Sequence, residues 1–367
     1  MKNVLFGVDE CTLVLRADPA DMEEIRDWQR KAERMITEFA RLADLEHIFG
    51  AKKDLDDTCP QGYLVAYRYG DHPFYFAIAY HPLQPAMGVI VKHSGYSWAM
   101  YCQKADTNIK RFLDAIRSDQ YTVRISRIDI TVDYQDWKMS VDDIYQGLKG
   151  NRLEIQDSTG KKNHAMISAL EVDGRTGTFY VGSKKTGTRL FLRVYDKRAQ
   201  QIETYGFRYE EALRTRSWVR FEVVYKGVYA HQMTDIIRNT KEEALSNLIA
   251  DKVAEKFRFY DRKRKAYTDF STALLEGSHP SFPPLCLESP RDHDLLRSLR
   301  HLVTGSGLFP TLYKCDKVWG DKASTVLLKH LYDVYTNKYE PNEDVRLWLK
   351  RHKETLQRQS LKEMLKL

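Results

Sequence analysis

Between Arg124 and Tyr134 the chain reads RISRIDITVDY, and from Arg127 onward polar and apolar residues alternate without a break. In an extended strand Ile128, Ile130, Val132 and Tyr134 point one way, and Arg127, Asp129, Thr131 and Asp133 point the other. This strand must bury one face and leave the other to solvent or to chemistry. Trp218 to Tyr225 repeats the pattern, with Val219, Phe221, Val223 and Tyr225 on the apolar side and Arg220 and Glu222 opposite. A third segment, Gly177 to Lys197, reads as a hairpin. A strand from Thr178 to Val181 leads through a turn carrying Gly182, Ser183, Lys184, Lys185 and Gly187 into a strand from Arg189 to Tyr195. Arg189, Phe191, Arg193 and Tyr195 share one side of that last strand.

If the three strands lie in one sheet, its polar face gathers Asp129, Asp133, Glu222, Arg127, Arg193, Arg220 and Tyr195. Carboxylates with no histidine or thiolate beside them suit a hard divalent cation, Mg2+ or Mn2+. Such an ion polarises a phosphoryl oxygen, and guanidinium groups hold the others. A free tyrosine, with a pKa of about 10, is roughly 0.1% ionised at neutral pH, a deficit of about 4 kcal/mol. A metal and flanking cations at Arg193 and Lys197 can supply that much and make Tyr195 a nucleophile.

These motifs carry a resemblance. Arg-x-Asp-x-x-x-Asp at Arg127, Tyr-x-Gly-Ser at Tyr180, Arg-x-Tyr-Asp-Lys at Arg193 and Trp-x-Arg-x-Glu at Trp218 together resemble the Rep_trans family. Its members are replication initiators of rolling-circle plasmids, with relatives in filamentous phages and among conjugative relaxases. The likeness is firm over roughly 123–226, weaker before it and absent after 261. It implies that the nicking tyrosine is Tyr195 and that metal-binding acids fall on Asp129 and Glu222, with Asp133 as a candidate third. It also implies a 5′-phosphotyrosyl enzyme and a free 3′-hydroxyl that primes synthesis. Thr186 stands where the family often has serine, which keeps the hydroxyl.

Each residue also has a plainer reading. Tyr195 can be packed at a strand end, Asp129 and Glu222 can be ion-paired to Arg127 or Arg220, and Asp133 can cap a turn. Lys184 and Lys185 suit either a solvated tip or phosphate contacts. The run Arg262, Lys263, Arg264, Lys265 suits a solvated cluster or, beside Phe257, Phe259 and Tyr260, a nucleic-acid surface. His93 is a further candidate, although no histidine sits in a His-x-His pair and no Walker-type loop is present.

A chain of 367 residues is long enough for two or three domains, and its net charge of +7 favours a polyanion without requiring one. The cysteines at 11, 59, 102, 286 and 315 form no CxxC pair, which argues for reduced thiols and a cytoplasmic setting. No stretch reaches the roughly 18 apolar residues of a membrane span, and Asp9 and Glu10 interrupt what would have to be a signal's apolar region.

In order, the pattern gives a strand to about Arg16, a helix capped at Asp18 with Pro19 in its first turn, strands at 63–69, 74–80 and 87–91, and a helix over 97–117. The expected class is α+β: a largely antiparallel sheet with helices on one face, an open catalytic face, and a helical C-terminal region. The expected divisions are an N-terminal half (1–118), a nicking domain (119–260), a linker (261–290) and a helical region (291–367). GVDECTLVLR at the start faintly echoes SRIDITVDY, the mark of a duplicated half. The expected function is nicking of origin DNA, with duplex and single-stranded DNA, a host helicase and a second copy as partners. A conjugative relaxase shares that chemistry, and a DNA-binding regulator without catalysis shares the surface. An RNA-binding sheet is disfavoured, because paired carboxylates repel phosphate unless an ion lies between.

Overall fold

The computed structural model describes residues 3–17, 25–55, 59–60, 62–172, 174–185, 187–278, 282–285, 295–304, 306–341, 345–346, 348–350 and 353. The expected cap at Asp18, Pro19, Thr186 and most of the expected helix after Pro341 lie outside these residues. The chain divides into two compact units, residues 1–285 and 286–367.

The first unit is built on one antiparallel sheet. Its strands in chain order are β1 (Asn3–Arg16), β2 (Lys52–Asp54), β3 (Val65–Asp71), β4 (Phe74–Tyr80), β5 (Val89–His93) and β6 (Thr122–Gln135). After β7 (Leu153–Gln156), which belongs elsewhere, come β8 (Ile167–Val172), β9 (Arg175–Val181), β10 (Leu190–Asp196) and β11 (Trp218–Lys226). The ten strands lie in the order β2-β3-β4-β5-β1-β6-β11-β10-β9-β8. A small second sheet joins β7 to β12 (Arg258–Asp261) and β13 (Ala266–Tyr267).

Helices cover the face that the alternation marked as apolar. α1 (Ile25–Leu42) lays the ring of Trp28 edge-on against Tyr80, 6.2 Å between centroids. α5 (Val141–Lys149) meets Phe179 through Tyr145. α8 (Val228–Asn239) receives the Ile125 backbone N–H on the Thr234 hydroxyl at 2.9 Å. α9 (Leu245–Lys256) takes the Tyr225 hydroxyl on the Lys252 carbonyl at 2.7 Å. Ile128, Ile130, Val132 and Tyr134 are fully buried between these helices and the sheet. Burial of such side chains is worth about 1.5–3 kcal/mol each, which locks the register and so fixes which side chains reach the other face.

The topology repeats. β1, α1 and β3 to β5 are followed by α3 (Gly95–Lys104), while β6, α5 and β9 to β11 are followed by α8. Outward from the centre the strands run β1-β5-β4-β3 on one side and β6-β11-β10-β9 on the other. The halves meet along the antiparallel β1–β6 pair, from Asn3 opposite Gln135 to Arg16 opposite Thr122. The echo between the first strand and SRIDITVDY therefore joins equivalent strands.

Several boundaries differ from expectation. The helix over 97–117 is two, α3 and α4 (Ile109–Ala115), because the Asn108 side chain takes the N–H groups of Lys110 and Arg111 and starts a new helix. The first helix stops at Leu42 and α2 (Leu45–Phe49) begins after Asp44, whose φ is 52°. β5 begins after Gly88, where φ is 70° and a Cβ would lie 2.4 Å from the Leu15 carbonyl oxygen. The described residues 261–278 and 282–285 belong to the first unit rather than forming a linker. Thr268 caps α10 (Asp269–Gly277), and Leu285 is buried. Phe270 packs its ring 5.5 Å from Phe221 and 5.3 Å from Phe259, and its carbonyl takes the Tyr134 hydroxyl at 3.0 Å. Phe270→Ala is therefore expected to cost about 3–5 kcal/mol, the range for a core phenylalanine. Urea unfolding checks this, since a linker residue would cost almost nothing.

The second unit contains α11 (Leu295–Thr304), α12 (Leu308–Trp319) and α13 (Ala323–Lys338). Pro310 falls in the first turn of α12, where its missing N–H has no helical partner to lose. Among the described residues no helix is long and apolar enough to cross a membrane.

Candidate active site on the open sheet face

β10, β11 and β6 are adjacent, so their polar sides form one surface. Tyr195 stands opposite Arg220, which stands opposite Asp133; one step along the strands, Arg193 faces Glu222 and Glu222 faces Thr131. A further step brings Val224 opposite Asp129. Tyr195, Glu222 and Asp129 thus descend diagonally across three strands, with Glu222 in the middle.

Glu222 connects the cluster. Its Oε2 accepts the Tyr195 hydroxyl at 3.1 Å and Nη2 of Arg193 at 2.9 Å. The Arg193 guanidinium lies over the Tyr195 ring, 4.2 Å from its centroid. Its Nε is buried with no hydrogen-bond partner. Asp196 accepts the Ala199 backbone N–H at 2.8 Å and so caps α6 (Lys197–Glu203), turning the chain directly after the tyrosine strand. That turn sets the Lys197 ammonium 5.7 Å from the Tyr195 ring centroid.

Two fork-like ion pairs flank this centre. Arg127 donates to both oxygens of Asp129, at 2.9 and 2.6 Å, and reaches Glu10 at 3.1 Å. Arg220 donates to both oxygens of Asp133, at 2.6 and 2.8 Å, and also to Asp9. Arg208, ahead of α7 (Tyr209–Arg214), adds a contact to Asp133 at 3.2 Å. Asp133 is therefore an anchor for guanidinium groups, not a turn cap; Asp136 fills that role by accepting the Arg216 N–H.

The electrostatics separate the carboxylates. Burial lifts Asp129 to about 6 despite Arg127, with Glu10 and Asp9 adding to the rise. Burial also raises Glu222 against the pull of Arg193, with Asp9 and Asp129 adding to it. Glu10 is raised by burial in spite of Arg127. For Asp133 burial works upward, but Arg220 outweighs it and holds the carboxyl below its usual range. Burial pushes the Tyr195 phenol up, opposed by Arg220 and Arg193. Burial, helped by Arg220, draws Lys197 down to about 8.

Asp9 and Glu10 escaped the sequence reading, although the echo between the first strand and SRIDITVDY was a signal for them. They complete a set of four carboxylates with Asp129 and Glu222, and the neighbouring acids add to the burial that raises Glu10, Asp129 and Glu222. Among the described residues no three such groups converge on one point in a metal-holding arrangement. The donor chemistry nonetheless suits a hard cation: oxygen ligands, mutual repulsion and burial are what a divalent ion would relieve.

The candidate DNA contacts divide. Arg127 and Arg189 are accessible on the polar face, whereas Arg220 is buried in its ion pairs with Asp133 and Asp9 and is not placed to contact DNA. Lys184 and Lys185 are exposed in the hairpin turn, the first with its ammonium 3.8 Å from the Tyr180 ring centroid. Arg262, Lys263, Arg264 and Lys265 form the exposed β12–β13 turn. Asp261 holds that turn by accepting the N–H groups of Lys263 and Arg264 at 2.9 Å. The neighbouring Phe257 and Phe259 are core residues and are not free to stack on bases. His93 is buried against Trp98, and burial takes its pKa down to about 4. It bonds to Cys11 at 3.2 Å on the core side.

On the face turned away from the main helical layer, the broad antiparallel sheet carries a buried tyrosine among carboxylates and guanidinium groups, a set whose chemistry suits a phosphate group. Residues 123–274 match the family model Rep_trans, described as replication initiation factor. No curated protein matches the chain. Among solved structures the chain is similar to the rolling circle replication initiator protein from Geobacillus stearothermophilus. The two share 16% identity and a TM-score of 0.53, over 78% of this chain and 100% of that one.

Proposed function

We propose that this protein is a rolling-circle replication initiator that cuts one strand of origin DNA through Tyr195. The observation that carries the reading is the Tyr195 hydroxyl donating to Glu222 at 3.1 Å inside a cationic surround. Glu222, whose raised pKa makes it a better proton acceptor, takes the phenolic proton. The phenolate oxygen attacks phosphorus, a bond forms to the 5′ side, and the bond to the 3′ oxygen breaks. Lys197, at about 8, is suited to protonate the departing oxygen. Arg193, with a buried Nε lacking a partner, is suited to a non-bridging phosphate oxygen. The bond energy stays in the phosphotyrosyl link, so the nick can be resealed.

Mg2+ or Mn2+ held by Asp129 and Glu222, with Asp9 and Glu10 beside them, would supply Lewis-acid polarisation of the scissile phosphate. Origin DNA, first as duplex and then as an unpaired strand, is the substrate. A host helicase and a second copy are the partners that such a role calls for. A conjugative relaxase would use the same residues, and the neighbouring genes distinguish the two.

The direct test is labelled single-stranded origin DNA with Mn2+. The expected products are a covalent protein adduct on the 5′ end and a fragment that polymerase extends from its 3′ end, both lost with EDTA. Binding that ignores EDTA with no adduct would instead make the chain a regulator.

The raised carboxylates give a further expected result. Asp129 rises from 3.8 to about 6, so the folded chain holds that proton more tightly than the unfolded one. The stability this contributes is present below pH 4 and is lost as pH climbs through 6, about 2–3 kcal/mol in all. A bound cation would replace the proton. Mn2+ at about 100 times its Kd should therefore stabilise by about 2.7 kcal/mol at pH 7.5 and by about half as much at pH 5, where the Asp129 proton weakens binding roughly tenfold. Thermal melts with and without Mn2+ check this, and an equal shift at both pH values would place the ion elsewhere.

A further inference from the structure

The strand register aligns a row of positive charge across the open face, one side-chain row beyond Asp129. Lys53 on β2 pairs with Arg68 on β3, Arg68 with Ala77 on β4, and Ala77 with Lys92 on β5. Lys92 pairs with Thr12 on β1, Thr12 with Arg127 on β6, and Arg127 with Lys226 on β11. The Lys226 N–H reaches the carbonyl of Arg189, which precedes β10. Six cationic side chains thus share a line perpendicular to the strands, and neighbours on adjacent strands lie about 4.8 Å apart.

The row is not internally neutralised. Lys53 and Arg68 meet Asp71, and Arg127 meets Asp129 and Glu10. Lys92, Lys226 and Arg189 make no ion pair among the described residues. Lys226 instead lies 5.4 Å from the Phe191 ring centroid.

In the first half of the sheet the row borders a cleft of about 780 Å3 lined by Glu10, Tyr75, Ala77, Lys92, Tyr96 and Arg127. The repeat explains why there is room. Relating β1 to β6 so that Glu10 matches Asp129 sets Lys92 at the place of Glu222, and Ala77 and Ala79 at the places of Arg193 and Tyr195. The first half has the same frame without the nucleophile. Small residues stand where the second half carries its large reactive ones.

We infer that this row and cleft form a track for the unpaired strand flanking the scissile phosphate: Lys92, Lys226 and Arg189 hold its backbone, and the cleft takes its bases. The inference rests on the nicking reading above and extends it to the half of the sheet that lacks the tyrosine. An unpaired strand fits because its backbone can follow a narrow line of cations while its bases turn onto the half-buried rings of Tyr75 and Tyr96. Duplex DNA keeps its bases stacked inside and has no use for the cleft.

The test measures affinity for a single-stranded origin oligonucleotide by fluorescence anisotropy across a salt series, in the full chain with Tyr195→Phe so that nothing is cut. Each phosphate contact on a single strand contributes about 0.7 to the slope of log K against log salt. Replacing Lys92, Lys226 and Arg189 together by Ala should lower that slope by about two units, and replacing all three by another cation (Lys92→Arg, Lys226→Arg, Arg189→Lys) should restore it. An unchanged slope in the alanine variant overturns the track, as does a loss seen only with duplex of the same sequence. Adduct formation by the protein with Tyr195 intact is scored separately. A chain that nicks but keeps its slope loses only the track, whereas one that neither binds nor nicks loses both readings.

Discussion

Tyr195→Phe is expected to abolish the covalent adduct while leaving the protein folded and bound to DNA. The substitution removes one oxygen. It keeps the ring under the Arg193 guanidinium, 4.2 Å away, and keeps the strand pairing with Arg220 and Thr178. What is lost is the only atom at this position able to attack phosphorus. Loss of a nucleophile typically costs on the order of 10^3-fold or more in rate, and the remaining groups cannot substitute for it. Stability should change little, since the lost hydrogen bond is worth about 1 kcal/mol and Glu222 keeps Arg193 as a partner. Denaturing gels with labelled oligonucleotide report the adduct, and anisotropy reports binding. An adduct of undiminished yield in the variant would remove Tyr195 from the reaction and send the search to another hydroxyl on the open face. A lost adduct together with lost binding would point instead to a structural role for the phenol. The companion variant Glu222→Gln keeps the shape and the phenol but cannot accept its proton, so it should slow adduct formation and shift its pH dependence.

Period-two alternation was sufficient to locate the central strands and to say which side of each is buried, because a one-residue slip would have put Ile130 in water and Asp129 in the core. It also brought Tyr195, Glu222 and Arg193 together, since all three fall on the polar side of neighbouring strands. Alternation does not report which strands are neighbours. The pairing of β1 with β6 brings Asp9 and Glu10 to the site from more than a hundred residues away, and only the echo between the two segments hints at it. The same limit explains the RKRK run, whose aromatic neighbours looked available for bases. Phe259 instead lies 5.4 Å from Phe221, on a small sheet that the sequence did not separate from the large one. The break at Asn108 was missed because apolar spacing continues through it, while the capping side chain decides where one helix stops and the next starts. The cationic row is invisible in sequence for the same reason as Asp9: it is a property of register across strands, and no single segment holds more than a small part of it.

Arg220→Met should be the most destabilising single change in the site. Arg220 is 4% exposed and neutralises two carboxylates, Asp133 and Asp9, from the centre of the sheet. Methionine fills much of the volume but leaves Asp133 buried with only the more distant Arg208. Removing one partner of a buried ion pair typically costs about 3–5 kcal/mol, whereas exchanging both partners for apolar groups is often near neutral. The double variant Arg220→Met with Asp133→Leu should therefore recover much of what the single variant loses. The pH dependence gives an independent check. With Arg220 in place, Asp133 sits below its usual range, so its contribution to stability is present at neutral pH and is lost as pH falls below 4. Without Arg220 the desolvation of the carboxyl dominates and the sign reverses, so the variant's deficit should shrink toward acid pH, where Asp133 is protonated and no longer needs a cation. Urea unfolding at pH 7.5, pH 5 and pH 3 measures both effects. A single-variant loss of less than about 1 kcal/mol would be in the range of an exposed pair. That result would show that the Arg220 to Asp133 contact is solvated in solution, and it would remove the rigid frame on which the placement of Tyr195 depends.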